Sequence, residues 1–324
     1  MNKSKSNAER RMILSKVIAT GAYLPGDAVK NERLIRETAI ESSDEWIVQR
    51  TGIKKRHFAS VEESVSDLAT KSVEKLLSKL DKDIRQEINL IIVATMSSQL
   101  PTPSVASQVQ AELGIEESWA FDVSGACSGF VMALELAEKL TNQKRTGYSL
   151  VIGAEKMSNI LNFEDRSSSV LFGDGAGAVL IKNDGEGLKN YTSELKSIPD
   201  PKNSIHLEAQ ELMTMDGRAV FNFVLRKVIP SLAEFVEKQT EPFDYLISHQ
   251  ANYRLIEMIA KKLKVSLERV PTNIDEVANT SAASIPILLN KLVNEKKIKL
   301  DGNQKLVLIG YGGGLAWGQI SLTV

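Results

Sequence analysis

The sequence is poor in the residues that build covalent and metal-bound frameworks. Its 324 residues contain one cysteine and three histidines. A single cysteine excludes an intrachain disulfide and a cysteine-rich metal site, and it favours a reducing, cytoplasmic compartment. The basic, polar start has no apolar stretch of secretory-signal length, and no run reaches the roughly 18 apolar residues of a membrane-spanning helix. We therefore expect no metal, no membrane segment and no export.

An excess of charge of one sign is also absent. Lysine and arginine total 40, aspartate and glutamate total 41, and the formal net charge is −1. This balance argues against a protein that binds nucleic acid over its whole surface. The length allows one large domain or two of about 150 residues, with ample core.

Apolar runs of strand length alternate with amphipathic helical patterns, and the order occurs twice. Strands predicted at 90–94 and 150–153 return at 245–248 and 306–309, with offsets near 155 (245 − 90 and 306 − 150). A further strand is predicted at 270–274. Two such halves with buried parallel strands predict a layered α/β fold with two sheets and with helices outside and between them.

We place the N-terminal half at 12–182 and the C-terminal half at 205–324. Residues 183–204 are polar and contain Gly, Pro and Asn, which predicts a connection between the halves. If a pseudo-twofold axis relates the halves, both sets of strand ends face one crevice. Ligand sites of open α/β sheets gather at such strand ends.

The single cysteine, Cys127, lies between a predicted strand at 119–123 and a predicted helix at 130–140. Small residues around it allow a sharp turn. A thiol at a helix N-terminus feels the positive end of the helix dipole, which favours the thiolate. A lone cysteine is more often a small buried apolar residue. The strand–turn–helix setting favours a nucleophile instead.

Two other polar residues stand at comparable points of the second half. His249 directly follows the strand at 245–248, and Asn279 directly precedes a helical pattern at 280–293. A core histidine or a helix-capping asparagine would be ordinary taken alone. Their placement with Cys127 at the strand-end crevice predicts a catalytic group.

Two glycine-rich stretches, 173–177 and 310–314, run into predicted strands. A dinucleotide-binding loop must instead open a helix, so neither stretch is one. We interpret the first as close strand packing. The second is predicted to offer a backbone N–H to an oxyanion beside the thiol.

Together, these motifs resemble those of one enzyme family. The motifs are Ser-Gly-Ala-Cys-Ser-Gly-Phe at 124–130, His-Gln-Ala-Asn at 249–252, Asn-Thr-Ser-Ala-Ala-Ser at 279–284 and Gly-Gly-Gly-Leu-Ala-Trp-Gly at 312–318. They are similar to those of β-ketoacyl-acyl-carrier-protein synthase III, as are the stretches 44–47, 50–53 and 172–177. The resemblance runs from about residue 13 to the C-terminus. It implies a thiolase-like fold with two pseudo-symmetric βαβαβαββ halves, layered α-β-α-β-α.

The resemblance also implies a reaction in two steps. Cys127 takes the acyl primer from acyl-CoA, with the backbone N–H groups of Cys127 and Gly313 around the oxyanion. Malonyl-acyl carrier protein then loses CO2, and its enolate attacks the acyl group to give 3-oxoacyl-acyl carrier protein. His249 and Asn279 hold the thioester oxygen in this step, which begins type II fatty-acid synthesis. An asparagine cannot be a base, which fits decarboxylation.

Three groups of binding residues follow from the same resemblance. They are Trp46, Arg50 and Arg166 for coenzyme A, Arg254, Lys261 and Lys262 for the acidic carrier protein, and Thr102, Leu171 and Phe172 around the primer. The resemblance further implies a homodimer with no permanently bound cofactor, for which a coenzyme A thioester is a substrate.

The sequence departs from the family in three places. Ala278 replaces the glycine that often precedes the catalytic asparagine, and residues 183–200 are shorter than usual. Thr102 stands where many members have a phenylalanine that caps the primer pocket across the dimer. We therefore expect primers that are longer or more branched than acetyl.

Three alternatives remain open. A thiolase-fold synthase of secondary metabolism would use the same residues. A Cys-His-Asn thioester hydrolase uses the same residue types, although the sequence lacks the local cysteine signature of the papain type. A non-catalytic thiolase-fold partner is disfavoured by the presence of all three polar residues.

Overall fold

Two β-sheets lie one behind the other, with helices between them and on both outer faces. The computed structural model describes residues 15–38, 40–141, 146–184, 187–208 and 211–324. Residues 12–14, the start of the predicted first half, lie outside the described residues.

The strands include two small ribbons, β2 with β3 and β9 with β10. In chain order the strands are β1 Lys16–Tyr23, β2 Val29–Lys30, β3 Lys55–Arg56, β4 Ile88–Ala94, β5 Trp119–Val123, β6 Thr146–Glu155, β7 Gly175–Asp184, β8 Thr192–Ser197, β9 Ile205–His206, β10 Thr214–Met215, β11 Tyr245–Ser248, β12 Lys305–Gly312 and β13 Ala316–Thr323.

The helices begin at side-chain caps in several places. They are α1 Asn31–Thr38, α2 Asp44–Thr51, α3 Val65–Leu77, α4 Val105–Glu112, α5 Gly129–Thr141, α6 Arg166–Ser169, α7 Gly217–Phe223, α8 Ile229–Glu237, α9 Tyr253–Leu263, α10 Ile274–Val277 and α11 Ser284–Asn294. A π-helical turn, Val224–Val228, joins α7 to α8. Ser64 and Asp67 form a reciprocal capping box at α3.

The four strands of the second sheet repeat the order of four of the five strands in the first. The first runs β1-β7-β6-β4-β5 and the second, in the equivalent direction, β8-β13-β12-β11. In each, a parallel pair (β4 with β6, β11 with β12) adjoins an antiparallel pair (β6 with β7, β12 with β13). The predicted repeat is therefore a repeat of topology.

The same unusual turn leads into the central helix of each half. Ala126 and Ser281 have positive φ angles of 45° and 48°, a region that residues with side chains seldom adopt. Each adjoins or opens a short 3₁₀ turn before α5 or α11. Their separation (281 − 126 = 155) confirms the predicted shift of the cysteine helix onto the second helix.

The hydrophobic cores show the layering. Between the sheets, Phe130 and Leu134 of α5 and Leu288 of α11 pack against Ile92 of the first sheet and Leu308 of the second. One outer core joins α3 and α4 to the first sheet, and another joins α8 and α9 to the second. The expected α-β-α-β-α order is confirmed.

The prediction of a strand at 270–274 is wrong. Within the described ranges the second sheet has four strands, and this segment carries no ladder. Oε1 of Gln250 instead accepts hydrogen bonds from Thr272 Oγ1 at 2.7 Å and from the backbone N of Asn273 at 3.2 Å. A side-chain amide thus holds the segment beside β11, so the second half lacks the third strand of the βαβαβαββ pattern.

The predicted connection, 183–204, contains β8, which pairs antiparallel with β13. Its sequence, Thr-Ser-Glu-Leu-Lys-Ser, is largely exposed. A polar edge strand has no apolar pattern by which to recognise it. The division of the chain into a half that ends at 182 and a half that begins at 205 remains a prediction.

Candidate active site

A narrow cavity of about 90 Å³ brings the three predicted polar residues together. Cys127, His249 and Asn279 all line it, with Leu171 and Phe172 in the same wall. Cys127 comes from the turn before α5, His249 from the residue after β11, and Asn279 from the segment before α11. The pairing of the halves therefore assembles residues that are up to 152 positions apart (279 − 127).

Cys127 is 8% exposed, and burial raises the pKa of its thiol to about 12. The charge of Glu155 acts in the same direction, whereas a hydrogen bond with Ser281 opposes it. Burial therefore opposes the thiolate that the helix terminus was expected to favour. The thiol needs a proton acceptor to react.

Glycine is required where β12 passes the cysteine. A Cβ on Gly312 would lie 3.0 Å from Cβ of Cys127 and 3.1 Å from its backbone N. The next residue, Gly313, lies over Ala126 and Ile205. The second glycine stretch therefore lets the backbone approach the thiol. Its N–H as a donor to an oxyanion remains a prediction.

His249 is 1% exposed, and burial lowers its pKa to about 3, so the ring is neutral. Its Nδ1 lies 2.7 Å from Oγ of Ser284. The ring of Tyr311 meets it edge-on, with centroids 5.2 Å apart. These contacts fix the ring orientation.

Asn279 is held by its backbone as well as its side chain. Its N donates to the carbonyl of Leu171 at 2.9 Å, and its carbonyl accepts from the N of Gly173 at 3.0 Å. Its Oδ1 accepts from the backbone N of Ser281 at 2.8 Å. With Oδ1 engaged, the amide's NH2 is the end that can serve a ligand.

The sequence interpretation missed Glu155, the last residue of β6. The residue is fully buried, and its Oε1 accepts a hydrogen bond from Oγ of Ser281 at 2.9 Å. Since the charge of Glu155 raises the pKa of Cys127, the carboxyl group belongs to the surroundings of the thiol. The one signal in the sequence is an acidic residue at the end of a buried strand pattern.

The residues predicted for coenzyme A form one surface cluster. The guanidinium carbon of Arg166 lies 4.7 Å from the ring centroid of Trp46, and that of Arg50 lies 5.9 Å from it. Arg166 also donates to the carbonyl of Glu41 at 2.7 Å. Cations on an aromatic face make a platform that can receive a flat, electron-rich base.

Of the basic residues of α9, Arg254 contacts the helix that carries Trp46. Arg254 donates to the carbonyl of Gln49 at the end of α2, at 2.8 Å. Lys261 and Lys262 are exposed in the last turn of α9. Of the residues predicted around the primer, Thr102 is exposed and lies outside the cavity wall that contains Leu171 and Phe172.

In the described ranges, no group of three or more His, Cys, Asp or Glu side chains is placed to hold a metal ion. No helix there has the length and apolar character to cross a membrane.

Comparisons with known proteins agree on one family. The family model of 3-oxoacyl-(acyl-carrier-protein) synthase III matches residues 121–198, and the model of its C-terminal part matches residues 235–324. A β-ketoacyl-(acyl-carrier-protein) synthase III of Streptococcus gordonii is 42% identical over 329 aligned residues, which cover 97% of this chain and all of that protein.

Solved structures give the same result. The 3-oxoacyl-(acyl-carrier-protein) synthase III of Aquifex aeolicus superposes with a TM-score of 0.89 at 38% identity, covering 96% of this chain and all of that one. The priming β-ketosynthase of the R1128 polyketide pathway gives 0.87 at 29% identity, with 96% of both chains covered.

Proposed function

The chain belongs to the β-ketoacyl-acyl-carrier-protein synthase III family, acyltransferases that initiate fatty-acid synthesis, and from this premise we propose how its own residues divide the reaction. The observation that supports this proposal is that Cys127, His249 and Asn279 line one cavity. The chain is thus a carbon–carbon bond-forming transferase. We assign the steps of this reaction to individual residues of the chain.

Cys127 is the nucleophile that receives the acyl primer from acyl-CoA. The close passage of Gly312 beside it supports this role, because glycine places no side chain between β12 and Cys127. The oxyanion that forms on attack is held by the N–H groups of Cys127 and Gly313. A buried thioester is also shielded from water, which protects the acyl-enzyme until the second substrate arrives.

His249 and Asn279 hold the thioester oxygen of the malonyl group while CO2 leaves. Asn279 offers its NH2, since its Oδ1 is already bonded. The Ser284 hydroxyl donates to the carbonyl of Ser281 at 2.9 Å, so a neutral His249 offers an N–H at Nε2 when that hydroxyl turns to Nδ1 instead. Two neutral donors stabilise a developing enolate without adding a buried cation.

Trp46, Arg50 and Arg166 receive the adenine end of coenzyme A, and Leu171 and Phe172 border the acyl chain. The acyl carrier protein, an acidic partner, docks at Arg254, Lys261 and Lys262. The contact of Arg254 with Gln49 of α2, the helix that carries Trp46, supports a shared entrance for both thioesters. No cofactor stays bound, and the reaction takes place in the cytoplasm.

The working form is a homodimer. In the described part of the first sheet, β5 is the last strand in the order, and an edge strand can pair with a second copy. Apolar surface nearby supports pairing, since Leu100 is 54% exposed. Sedimentation at micromolar concentration tests this, and a monomer at all concentrations would contradict it.

One alternative product class is favoured by a specific observation. The likeness to a priming β-ketosynthase of polyketide synthesis, together with threonine at position 102, fits a synthase that loads unusual primers. Relative activity with a panel of acyl-CoAs distinguishes fatty-acid initiation from this specialised role. Strict use of acetyl-CoA favours fatty-acid initiation, and preference for long or branched acyl groups favours the specialised role.

The central test is mass spectrometry of the protein incubated with acetyl-, isobutyryl- and octanoyl-CoA, with Cys127→Ala as the control. We expect an acyl adduct on Cys127 and none on the variant. Addition of malonyl-acyl carrier protein then removes the adduct with release of CO2. Water-driven loss of the adduct without that substrate indicates a hydrolase, and no adduct from any primer overturns the nucleophile.

A further inference from the structure

Arg56, the last residue of β3, is a completely buried cation with no part in the proposed reaction steps. Its Nη1 donates to Oδ1 of Asn31 at 2.7 Å and to the carbonyl of Val29 at 3.2 Å, and its Nη2 donates to the carbonyl of Val170 at 3.0 Å. Burial lowers the pKa of Arg56 to about 10, so the guanidinium remains charged at neutral pH. Because a buried charge is costly unless it is hydrogen-bonded, these partners fix the position of the side chain.

Asn31 connects this cation to the helix that carries Trp46. Its Oδ1 accepts from Arg56, and its Nδ2 donates to Oδ1 of Asp44 at 2.7 Å. Asp44 is the first residue of α2, the helix on which Trp46 and Arg50 also lie. The charge of Asp44 acts on Arg56 as well, and it opposes the effect of burial on the pKa of the guanidinium. The N-terminus of α2 is thus bonded to Arg56 through one amide.

The other side of the guanidinium reaches the helix that carries Arg166. Val170, whose carbonyl accepts from Nη2 of Arg56, is the residue that ends α6. Arg166 is the first residue of α6, and its guanidinium carbon lies 4.7 Å from the ring centroid of Trp46. The two helices that form the Trp46 cluster (Trp46, Arg50 and Arg166) are therefore both bonded to one buried side chain.

The chain passes directly from Val170 into the wall of the catalytic cavity. Leu171 and Phe172 line this cavity together with Cys127. Arg56 therefore bonds to the chain one residue before the wall, at the same time as it bonds to Asn31 on the side of α2. A single buried side chain thus connects the proposed site of the nucleotide with the proposed site of the acyl group.

The cavity wall is also held by bonds that do not involve Arg56. The backbone N of Asn279 donates to the carbonyl of Leu171 at 2.9 Å, and the backbone N of Gly173 donates to the carbonyl of Asn279 at 3.0 Å. Loss of the Arg56 bonds should therefore displace α2 and α6 and leave the wall attached to Asn279.

We propose that Arg56 is a positioning residue that sets the separation between the Trp46 cluster and the acyl cavity, so that a coenzyme A thioester bound at the cluster presents its carbonyl to Cys127. This inference rests on the function proposed for Cys127 and on the coenzyme A site proposed at Trp46. Because Arg56 is completely buried, it acts through α2, α6 and Val170. Binding energy at the remote adenine end then serves the reaction at the thioester only while the two sites keep this separation.

The test compares two acyl donors in single-turnover acylation of Cys127, measured by the mass of the adduct. Acetyl-CoA has the nucleotide that the Trp46 cluster receives, and acetyl-pantetheine is the same thioester without it. Arg56→Lys keeps the charge but lacks the planar fork that reaches both Asn31 and Val170. We expect its saturating rate with acetyl-CoA to fall about 10-fold, since a small misplacement lowers the rate of a positioned reaction. The half-saturating concentration of acetyl-CoA should change less than about 3-fold, and the second-order rate with acetyl-pantetheine less than about 2-fold, because the cluster still binds and the cavity is intact.

Three other results would overturn the proposal. Equal losses with both donors would show a general effect on the fold or on Cys127, and unchanged rates with both donors would show no effect of Arg56. A loss of affinity for acetyl-CoA with no loss of its saturating rate would place Arg56 in binding alone. Equal second-order rates with the two donors in the wild-type protein would overturn the coenzyme A site and this inference with it, whereas no adduct from either donor would overturn the function proposed for Cys127.

Decarboxylation of malonyl-acyl carrier protein provides a control within the same variant. This step needs Asn279 but no coenzyme A, and Asn279 is bonded to the wall independently of Arg56. Its rate in Arg56→Lys should therefore change less than about 3-fold, against the ~100- to 1000-fold typical of losing an oxyanion donor. A fall as large as the loss in acylation would mean that the wall itself has moved, and it would overturn the proposal.

A double-mutant cycle tests whether Arg56 acts through the cluster. Trp46→Ala removes the aromatic face on which both cations lie, so the position of the cluster should then matter less. Adding Arg56→Lys to Trp46→Ala should lower the second-order rate with acetyl-CoA by less than about 3-fold further, because residues that act together do not give additive losses. Full multiplication of the two single losses would mean independent effects and would overturn the proposal.

If Arg56→Lys does not fold, Asn31→Ala supplies the same comparison of donors. It removes the amide that links Arg56 to α2 and keeps the bond from Arg56 to Val170, and we expect a loss of about 3- to 10-fold that is confined to acetyl-CoA. Asn183→Ala is the matched control, because it also removes a buried amide, one that donates to Oγ of Ser149 at 2.9 Å within the first sheet. It should lower stability without changing the ratio of the rates with the two donors. An equal change of that ratio in Asn183→Ala, or no change in Asn31→Ala, would overturn the proposal.

Discussion

Nδ1 of His249 lies 2.7 Å from Oγ of Ser284, the first residue of α11. The same hydroxyl lies 2.9 Å from the carbonyl oxygen of Ser281. A hydroxyl has one proton to donate. If it goes to Nδ1, the imidazole proton resides on Nε2; if it goes to Ser281, the imidazole proton resides on Nδ1. Ser284 therefore sets which nitrogen of His249 can donate to a ligand.

Replacing this hydroxyl should affect the two half-reactions unequally. In Ser284→Ala we expect decarboxylation of malonyl-acyl carrier protein to fall about 10- to 100-fold, less than the ~100- to 1000-fold typical of losing an oxyanion donor itself. Formation of acyl-Cys127 should change less. CO2 release and adduct mass report the two rates. Ser284→Thr should restore the first, and an equal loss in both would contradict a role in setting the tautomer.

The neutral, buried His249 should make the fold sensitive to mild acid. Its pKa falls from an ordinary 6.5 to about 3 in the folded chain, so below pH 6.5 the unfolded state binds the additional proton. Stability is therefore lost as the pH falls from 6.5 toward 3. Between pH 7 and pH 5 this residue should account for about 2 kcal/mol of the free energy of unfolding.

Urea unfolding of the wild-type protein and of His249→Gln at both pH values measures that difference. The variant should lose about 2 kcal/mol less than the wild type on going to pH 5. His206, which is partly exposed, provides the control, and His206→Gln should keep the wild-type difference. Equal losses in His249→Gln and the wild type would contradict a neutral buried imidazole.

Ala278 has a backbone conformation that glycine adopts more readily. Its φ and ψ are 59° and −157°, in a region that is nearly confined to glycine and costs other residues about 1–3 kcal/mol. Ala278→Gly should therefore raise the free energy of unfolding by about 1 kcal/mol after the greater chain entropy of glycine is subtracted. Ala233→Gly in α8 should lower it by about the same amount. A loss of stability in Ala278→Gly would contradict the strain.

The Trp46 cluster should govern the affinity for coenzyme A thioesters. Arg166→Ala removes the closer cation on the indole, at 4.7 Å, and a contact of this kind contributes about 0.5–2 kcal/mol. We expect KM for acyl-CoA to rise about 3- to 30-fold with kcat little changed. Steady-state kinetics measure both. Arg33→Ala, in the exposed ion pair with Glu37, is the control and should leave KM unchanged.

Position 102 should set the breadth of primers. Because Thr102 is exposed within one chain, its effect on the pocket depends on a second copy. Thr102→Phe should lower kcat/KM for octanoyl-CoA about 10-fold or more relative to acetyl-CoA, since an added aromatic ring fills acyl volume worth several methylene groups. Thr102→Ser is the control. Strict preference for acetyl-CoA in the wild type would contradict the premise.

Local patterns in the sequence were enough for much of the fold. The predicted bounds of β5 and β11 match the structure. Strand periodicity depends on residues that are close in sequence, and the 155-residue repeat is a recurrence of such local patterns. Both can therefore be predicted without knowing the fold. The segment at 270–274 failed because the side chain of Gln250, 20 or more residues away, takes the place of a strand partner.

The sequence by itself predicted that Cys127, His249 and Asn279 share a site, because they stand at element boundaries that local patterns reveal. Tertiary structure decided their surroundings: burial raises the pKa of the thiol and lowers the pKa of the imidazole. It also decided that the buried Glu155 lies near the thiol, where its Oε1 accepts a hydrogen bond from Ser281, 126 positions away. Protonation depends on how far the folded chain excludes water, and a long-range contact depends on how distant segments pack together. No local sequence pattern contains either kind of information.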